Sequence, residues 1–97
     1  MKVIRHVVFG GSVQGVGFRA FVEHHATLHG IEGWVRNRRD GTVEAVFAAS
    51  PEAVEAVIAD GRRGPRSGRV ESVDVREASA DELGLRGRES FAVLPTV

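Results

Sequence analysis

The sequence GGSVQGVGFR, residues 10–19, joins the strand-like segment VIRHVVF, residues 3–9, to a segment whose apolar residues have helical spacing. Glycines permit positive φ and close approach of the backbone to a ligand, so such a loop can turn several N–H groups toward one point. Arg19 stands at the second position of the predicted helix, beside free N–H groups and the positive end of the helix dipole. The stretch therefore predicts an anion site between a strand and a helix.

Two segments have the pattern of amphipathic helices. Residues 18–29 place apolar side chains three and four residues apart, and Gly30 is positioned as a left-handed C-terminal cap. Residues 50–61 begin with Ser50 as N-cap and Pro51 at the first helical position, and Gly61 is predicted to end this helix. The predicted apolar face of the first helix consists of Phe18, Phe21, Val22, Ala26 and Leu28.

The remaining periodic segments predict strands. They are residues 2–9, 31–37, 42–49, 70–75 and a short fifth segment, 90–94. Asp40-Gly41 predicts a hairpin between the second and third strands. The order βαββαβ with an extra strand predicts a ferredoxin-like α+β sandwich, with a mainly antiparallel sheet and both helices on one face, in a single domain over residues 1–97. The pattern of residues 77–88 is compatible with an irregular loop or with a turn of helix.

Composition limits the class of protein. Thirteen basic and thirteen acidic side chains cancel over 97 residues, so net charge indicates no nucleic-acid footprint. The chain has no cysteine, which excludes disulfides, a thiol nucleophile and thiolate metal ligands. The first residues, MKVIRHVVFGG, are too short and too interrupted for a signal peptide or a membrane span. These features predict a soluble, cytoplasmic protein that does not bind membranes.

Two nucleotide-binding motifs match the glycine-rich stretch only in part. Gly10 and Gly15 have P-loop spacing, but Val16 stands where that motif requires lysine. GVGFRA, residues 15–20, fits the dinucleotide fingerprint, yet the next predicted strand ends in basic residues where a ribose-binding carboxylate is needed. An NTPase is excluded, and the dinucleotide match carries little weight.

A second motif, GWVRNRRDGTVE of residues 33–44, makes the pair resemble the acylphosphatase family. The resemblance covers nearly the whole chain, including the Ser-Pro start of the second helix and the ending at residues 91–93. It departs from the usual family pattern at Ser12, where a basic residue is frequent, and at Gly10, which we expect to make the start of the loop more flexible. The residues that carry it are Gly11, Val13, Gln14, Gly15, Val16, Phe18 and Arg19 in the first motif and Gly33, Trp34, Val35, Asn37, Gly41 and Val43 in the second.

The resemblance implies hydrolysis of the carboxyl–phosphate anhydride of small acyl phosphates to carboxylate and inorganic phosphate, without metal or cofactor. Arg19 would clamp the phosphate and Asn37 would position the attacking water. A monomer is expected. The backbone amides implied to cradle the phosphate are those of Gln14, Gly15, Val16, Gly17, Phe18 and Arg19.

Other residues have structural interpretations. We expect His24, His25 and His29 to be surface histidines, since no carboxylate in the sequence pattern completes a metal set with them. His6 is predicted on the face of the sheet away from Val7, and Trp34 is predicted to be a packing residue. The remaining arginines near the predicted site are expected to steer substrate at most; they are Arg36, Arg38, Arg39 and those of the 62–69 loop.

Two functions from other classes stay open at this level. A related domain occurs in large hydrogenase maturation proteins that use carbamoyl phosphate, so the chain can be an accessory module of such chemistry. A module that senses phosphate or nucleotides is also compatible, because this fold hosts many binders. An RNA-binding surface would need exposed aromatics on the strands, and we expect most of Phe9, Trp34 and Phe47 to face the core.

Overall fold

The computed structural model describes all 97 residues as five strands and three α-helices. The elements are β1 (Val3–Ser12), α1 (Phe18–Leu28), β2 (Glu32–Asn37), β3 (Val43–Ala49), α2 (Pro51–Arg63), β4 (Arg69–Glu77), α3 (Ala80–Leu83), a 3₁₀ turn (Gly84–Arg86) and β5 (Phe91–Val93). None of the helices is long and apolar enough to cross a membrane.

The strands form one sheet in the order β4-β1-β3-β2-β5. β1 pairs antiparallel with β3 and β4, β2 pairs antiparallel with β3, and β5 pairs parallel with β2. β4 is an edge strand, and most of its side chains are exposed. The order and directions of the strands confirm the predicted ferredoxin-like α+β sandwich with a mainly antiparallel sheet.

The main core lies between the sheet and the two long helices. Phe18 of α1 contacts Phe9 of β1 edge-to-face, with ring centroids 5.0 Å apart. Both rings are almost completely buried, and burial of large apolar side chains is the main driving force for this layer packing. The core also contains Val22 and Ala26 of α1 and Val54, Val57 and Ile58 of α2. The sheet therefore holds both long helices on one face, as the pattern predicts.

A smaller core covers the other face of the sheet. Trp34 is buried there with Leu83 of α3, and its indole N–H donates a 2.7 Å hydrogen bond to the backbone carbonyl of Glu82. Ser79 begins α3 with a capping box, in which Ser79 and Glu82 satisfy each other's backbone N–H groups. Residues 77–88 thus contain a helical turn, which the sequence left open, and Trp34 is the packing residue that we expected.

Two glycines have roles that differ from their predicted ones. Gly10 lies within β1 opposite Ser72, rather than in a flexible loop, and an added Cβ would collide with the Ser72 hydroxyl. The strand continues through a bulge between Gly10 and Gly11. Gly61 does not end α2, which continues to Arg63. It lies instead in the buried face, where an added Cβ would come within 2.6 Å of the Phe9 ring.

The predicted apolar face of α1 is partly wrong. Phe18, Val22 and Ala26 are buried, but Leu28 is 66% exposed. Leu28 is the last residue of α1, and two residues later Gly30 turns the chain in the left-handed conformation with φ 67°. Leu28 therefore lies outside the buried face of α1.

Candidate functional site

The loop between β1 and α1 leaves its backbone N–H groups without acceptors in the chain. Gly15 and Gly17 adopt left-handed conformations with φ of 74° and 79°, a region that L side chains rarely occupy. No N–H group of residues 14–17 donates a hydrogen bond to another part of the chain. The first N–H groups of α1 have no acceptor one turn earlier, so they add to the same polar surface. A concave run of unpaired N–H groups at a helix N-terminus is suited to bind an anion.

Arg19 and Asn37 lie at one pocket with this loop. The pocket has a volume of about 360 Å³. Arg19 forms no ion pair within the chain, and the Asn37 side chain donates no hydrogen bond. Both side chains are half-buried. The pocket therefore combines one guanidinium, one side-chain amide, the Glu23 carboxylate and a set of N–H groups, all without partners in the chain. It is lined by Val13, Gly15, Gly17, Phe18, Arg19, Ala20, Glu23, Asn37 and Val93.

Asn37 is placed by the end of the β2–β3 hairpin. It is the last residue of β2 and pairs with Val43 of β3. Asp40 fixes the turn, because its carboxylate accepts hydrogen bonds from the backbone N–H and the hydroxyl of Thr42 at 3.0 and 2.6 Å. On the other side, the Val97 N–H donates to the Asn37 carbonyl at 3.2 Å. The predicted Asp40-Gly41 hairpin is confirmed, and it holds Asn37 at the rim of the sheet.

Two residues of the predicted cradle do not line the pocket. Val16 packs against the main core, and its carbonyl accepts a 3.0 Å hydrogen bond from the Ser67 hydroxyl. Gln14 turns its side chain to the hairpin, donating from Nε2 to the carbonyls of Arg38 at 2.6 Å and Thr42 at 2.9 Å. Of the predicted site residues, the pocket brings together Gly15, Gly17, Phe18, Arg19 and Asn37.

The pocket also contains residues that the sequence analysis missed. Glu23 follows Arg19 by four positions on α1, so helical spacing alone could have placed both on one side of the helix. Val93 reaches the pocket only because β5 pairs parallel with β2, with Val35 opposite Val93. No local signal in the sequence indicates that pairing.

A partly buried cluster of His6, Arg36 and Glu44 occupies the opposite face of the sheet. The Glu44 carboxylate contacts His6 Nε2 at 2.6 Å and accepts from Arg36 Nε at 2.7 Å. Burial raises the pKa of Glu44, but the hydrogen bonds from His6 and Arg36 outweigh burial and hold the pKa below its ordinary value. Arg36 also stacks over the Trp34 ring at 4.6 Å. His6 therefore lies on the face predicted for it, as part of a structural network away from the pocket.

Two of the α1 histidines contact a carboxylate of α2 that the sequence pattern did not indicate. Asp60 of α2 does supply a carboxylate, and one of its oxygens lies 3.0 Å from both His25 Nδ1 and His29 Nε2. Burial raises the pKa of Asp60, yet the hydrogen bonds from His29 and Arg63 and the charge of His25 together lower it below its ordinary value. No group of three or more His, Cys, Asp or Glu side chains is arranged to hold a metal ion. The cluster links the two long helices.

A larger cleft of about 840 Å³ lies at the other end of the sheet, around the C-terminus of α1 and the N-terminus of α2. Its lysine, Lys2, is already paired with Glu32. The Ser50 hydroxyl accepts a hydrogen bond from the N–H of Ala53 and so caps α2. Lys2, Glu32 and His29 of the cleft are thus paired within the chain, whereas Glu89 forms no ion pair.

Comparison with known proteins identifies relatives over the full length of the chain. A model of the acylphosphatase family matches residues 5–91. An acylphosphatase of Bradyrhizobium diazoefficiens is 57% identical over 97 residues, which cover 99% of this chain and 98% of that protein. An acylphosphatase of Rhodopseudomonas palustris is 54% identical over 96 residues, 98% of this chain and 97% of the relative.

Solved structures give the same result for the fold. The crystal structure of acylphosphatase from Bacillus subtilis superimposes with a TM-score of 0.83 at 31% identity, over 97% of this chain and 99% of that chain. Full-length HypF in its phosphate- and nucleotide-bound form gives a TM-score of 0.85 at 26% identity, over 99% of this chain but 12% of that chain. Family model, relatives of matching length and structures agree, and the chain belongs to the acylphosphatase family of enzymes.

Proposed function

We propose that the chain hydrolyses small acyl phosphates to a carboxylate and inorganic phosphate, using the pocket of Arg19 and Asn37 and no metal ion. The observation that carries the proposal is the set of unpaired groups at this pocket. The N–H groups of the glycine-rich loop and the N-terminus of α1 have no acceptor in the chain, and Arg19 forms no ion pair. A phosphoryl group supplies the negative oxygens that these donors need.

The chemistry fits a pocket whose lining contains no serine, threonine, cysteine or histidine. Phosphoryl transfer passes through a loose transition state, so positioning and charge stabilisation supply most of the catalysis. Arg19 and the loop amides neutralise the phosphoryl oxygens, and Asn37 orients a water molecule for attack on phosphorus. The bond that breaks joins phosphorus to the carboxyl oxygen, and the carboxylate leaves without protonation. The water proton passes to a phosphoryl oxygen.

Comparison of an acyl phosphate with a phosphate ester tests this proposal. An alkoxide leaves far less readily than a carboxylate, because it needs protonation that the carboxylate does not need. We expect the purified chain to hydrolyse benzoyl phosphate and acetyl phosphate, with no measurable turnover of phenyl phosphate or glycerol phosphate. Equal turnover of anhydride and ester, or no turnover of any acyl phosphate, contradicts the proposal.

A phosphate- or nucleotide-binding module is the second candidate, since the HypF structure that this chain resembles is phosphate- and nucleotide-bound. The chain matches 12% of that protein, whereas it matches 98% of the Bradyrhizobium acylphosphatase. A module of this kind would bind phosphate without turning over benzoyl phosphate, so the same assay separates the two functions.

A further inference from the structure

The Gln14 side chain connects the glycine-rich loop to the hairpin that carries Asn37. Gln14 belongs to the loop, between β1 and Gly15, and its Nε2 donates to the backbone carbonyls of Arg38 at 2.6 Å and Thr42 at 2.9 Å. Arg38 directly follows Asn37, and Thr42 directly precedes Val43, the strand partner of Asn37. The two acceptors therefore bracket the hairpin turn one residue beyond the Asn37–Val43 pair.

The chemistry of the two acceptors fixes the orientation of the side-chain amide. Both are carbonyl oxygens, so only the two protons of the amide nitrogen satisfy them. Each carbonyl also has a backbone donor, because the Gly41 N–H donates to Arg38 and the Arg38 N–H donates to Thr42, at 3.1 and 2.9 Å. The hairpin thus closes through its own backbone, and the Gln14 bonds are additional bonds that attach it to the loop.

We infer that Gln14 is a positioning residue, whose side chain sets the distance between the phosphate-binding loop and the water-orienting amide of Asn37. This inference rests on the proposed function. The water must lie in line with the leaving group of a phosphoryl group that the loop holds, and a displacement of about 1 Å can cost a hundredfold in rate. The loop and the hairpin belong to different elements, and the paired Gln14 bonds join them beside the pocket.

A double-mutant cycle with Asn37 distinguishes this role from a general effect on folding. Gln14→Met keeps the length of the side chain and removes both donors. We expect kcat on benzoyl phosphate to fall about ten- to a hundredfold, with the inhibition constant of inorganic phosphate changed less than about threefold. In an Asn37→Ala background, we expect Gln14→Met to lower kcat less than about threefold, because the group that it positions is gone.

Ser67→Ala is the matched control, since Ser67 also tethers the loop, through the Val16 carbonyl, but has no bond to the hairpin. Its effect on kcat should be the same in the wild-type and Asn37→Ala backgrounds. The inference is overturned if folded Gln14→Met keeps wild-type kcat, if it loses the same factor in both backgrounds, or if phosphate binding falls in proportion to kcat.

A measurement without turnover separates this inference from the proposed function. In the wild-type protein, inorganic phosphate should shift the amide resonances of the loop and also those of Arg38 and Thr42. In Gln14→Met the loop resonances should still shift, and the hairpin resonances should not. If the wild type hydrolyses no acyl phosphate but shows this transmitted shift, the proposed function fails and the connection stands. A hairpin response that persists in Gln14→Met contradicts the connection.

Discussion

Arg19 and Asn37 line the same pocket from different elements, Arg19 in the first turn of α1 and Asn37 as the last residue of β2. Arg19 lies beside the N–H groups that would hold a phosphoryl group, whereas Asn37 stands on the hairpin across the pocket. If the proposed function is correct, substitution of Asn37 should lower kcat alone, whereas substitution of Arg19 should weaken phosphate binding as well as turnover.

Asn37→Ala should lower kcat on benzoyl phosphate by about a hundredfold or more, since a preorganised polar group acts mainly in the transition state. Inhibition by inorganic phosphate should stay almost unchanged. Asp40 holds the turn independently, so the free energy of unfolding should fall by only about 1 kcal/mol. The measurements are kcat, the phosphate inhibition constant and thermal unfolding on one preparation.

The control for Asn37 is Arg39→Ala, because Arg39 is exposed nearby on the same hairpin but does not line the pocket. We expect its kcat to stay within about twofold of wild type. A folded Asn37→Ala protein with wild-type kcat would remove Asn37 from the mechanism.

Arg19→Ala should reduce phosphate binding together with turnover. A guanidinium that makes charge-assisted, bidentate contacts holds the phosphoryl group in both the bound substrate and the transition state. Arg19→Lys should restore little of either, because an ammonium cannot make the paired contacts. Arg66→Ala, in the exposed loop before β4, is the control and should leave phosphate inhibition unchanged at moderate salt. Near-normal phosphate affinity and kcat in Arg19→Lys would contradict the clamp.

Treatment with EDTA followed by dialysis should leave kcat unchanged. The positive charge of the proposed site comes from Arg19 and backbone N–H groups, and no set of three His, Cys, Asp or Glu side chains is arranged around a metal position. The test is kcat before and after chelation, then with magnesium, manganese or zinc added back. Loss of activity that one divalent ion restores would refute metal independence.

Asp60→Asn should destabilise the protein at pH 6 and have little effect at low pH. The pKa of Asp60 is lower in the folded chain than its ordinary value. Its ionised form therefore stabilises the native state above the pKa of an unfolded aspartate, and this contribution disappears as the pH falls through the folded-state pKa. Since Asp60 accepts from His29 and Arg63, we expect a loss of about 1–3 kcal/mol at pH 6.

Urea unfolding of both proteins between pH 2.5 and 6 measures this difference. Asp74→Asn is a suitable control, because Asp74 is exposed on β4 and forms no ion pair. A difference for Asp60→Asn that stays constant over this pH range would show that its charge is not what links the helices.

Gly61→Ala should destabilise the chain although alanine is the better helix former. The new Cβ would lie 2.6 Å from the ring of Phe9, which is completely buried. Overpacking of this kind costs about 1–3 kcal/mol. Ala59→Gly, at an exposed position of the same helix, is the control. It measures the difference in helix propensity between alanine and glycine alone, which we expect to lower the free energy of unfolding by about 1 kcal/mol. A Gly61→Ala protein that is more stable than wild type would contradict the close contact.

Features encoded by neighbouring residues were predictable from the sequence. Ser50-Pro51 begins α2 and Asp40-Gly41 makes the hairpin, because each signal acts within one turn of chain. Gly10 and Gly61 were misinterpreted for the opposite reason. Their roles depend on Ser72 and Phe9, which lie far away in the sequence and meet them only in the folded sheet.

In the candidate site too, features set by neighbouring residues were predictable and features set by distant residues were not. Gly15, Gly17 and Arg19 follow one another along the chain, and the family motif adds Asn37. Val93 could not be predicted, because it reaches the pocket through the parallel pairing of β5 with β2. The hydrogen bonds of the Gln14 side chain could not be predicted either. Their acceptors are backbone carbonyls, which every residue type has, so the sequence gives no signal for them.

The position of β4 at the edge of the sheet bears on how copies of the chain behave at high concentration. An open edge can recruit a strand from another molecule and begin a fibril. β4 carries exposed charged side chains along its length, among them Glu71, Asp74 and Arg76. A second β4 laid against it would have to desolvate these charges, and the edge on the far side, β5, has only 3 residues. The edges of this sheet therefore oppose self-assembly while the chain is folded.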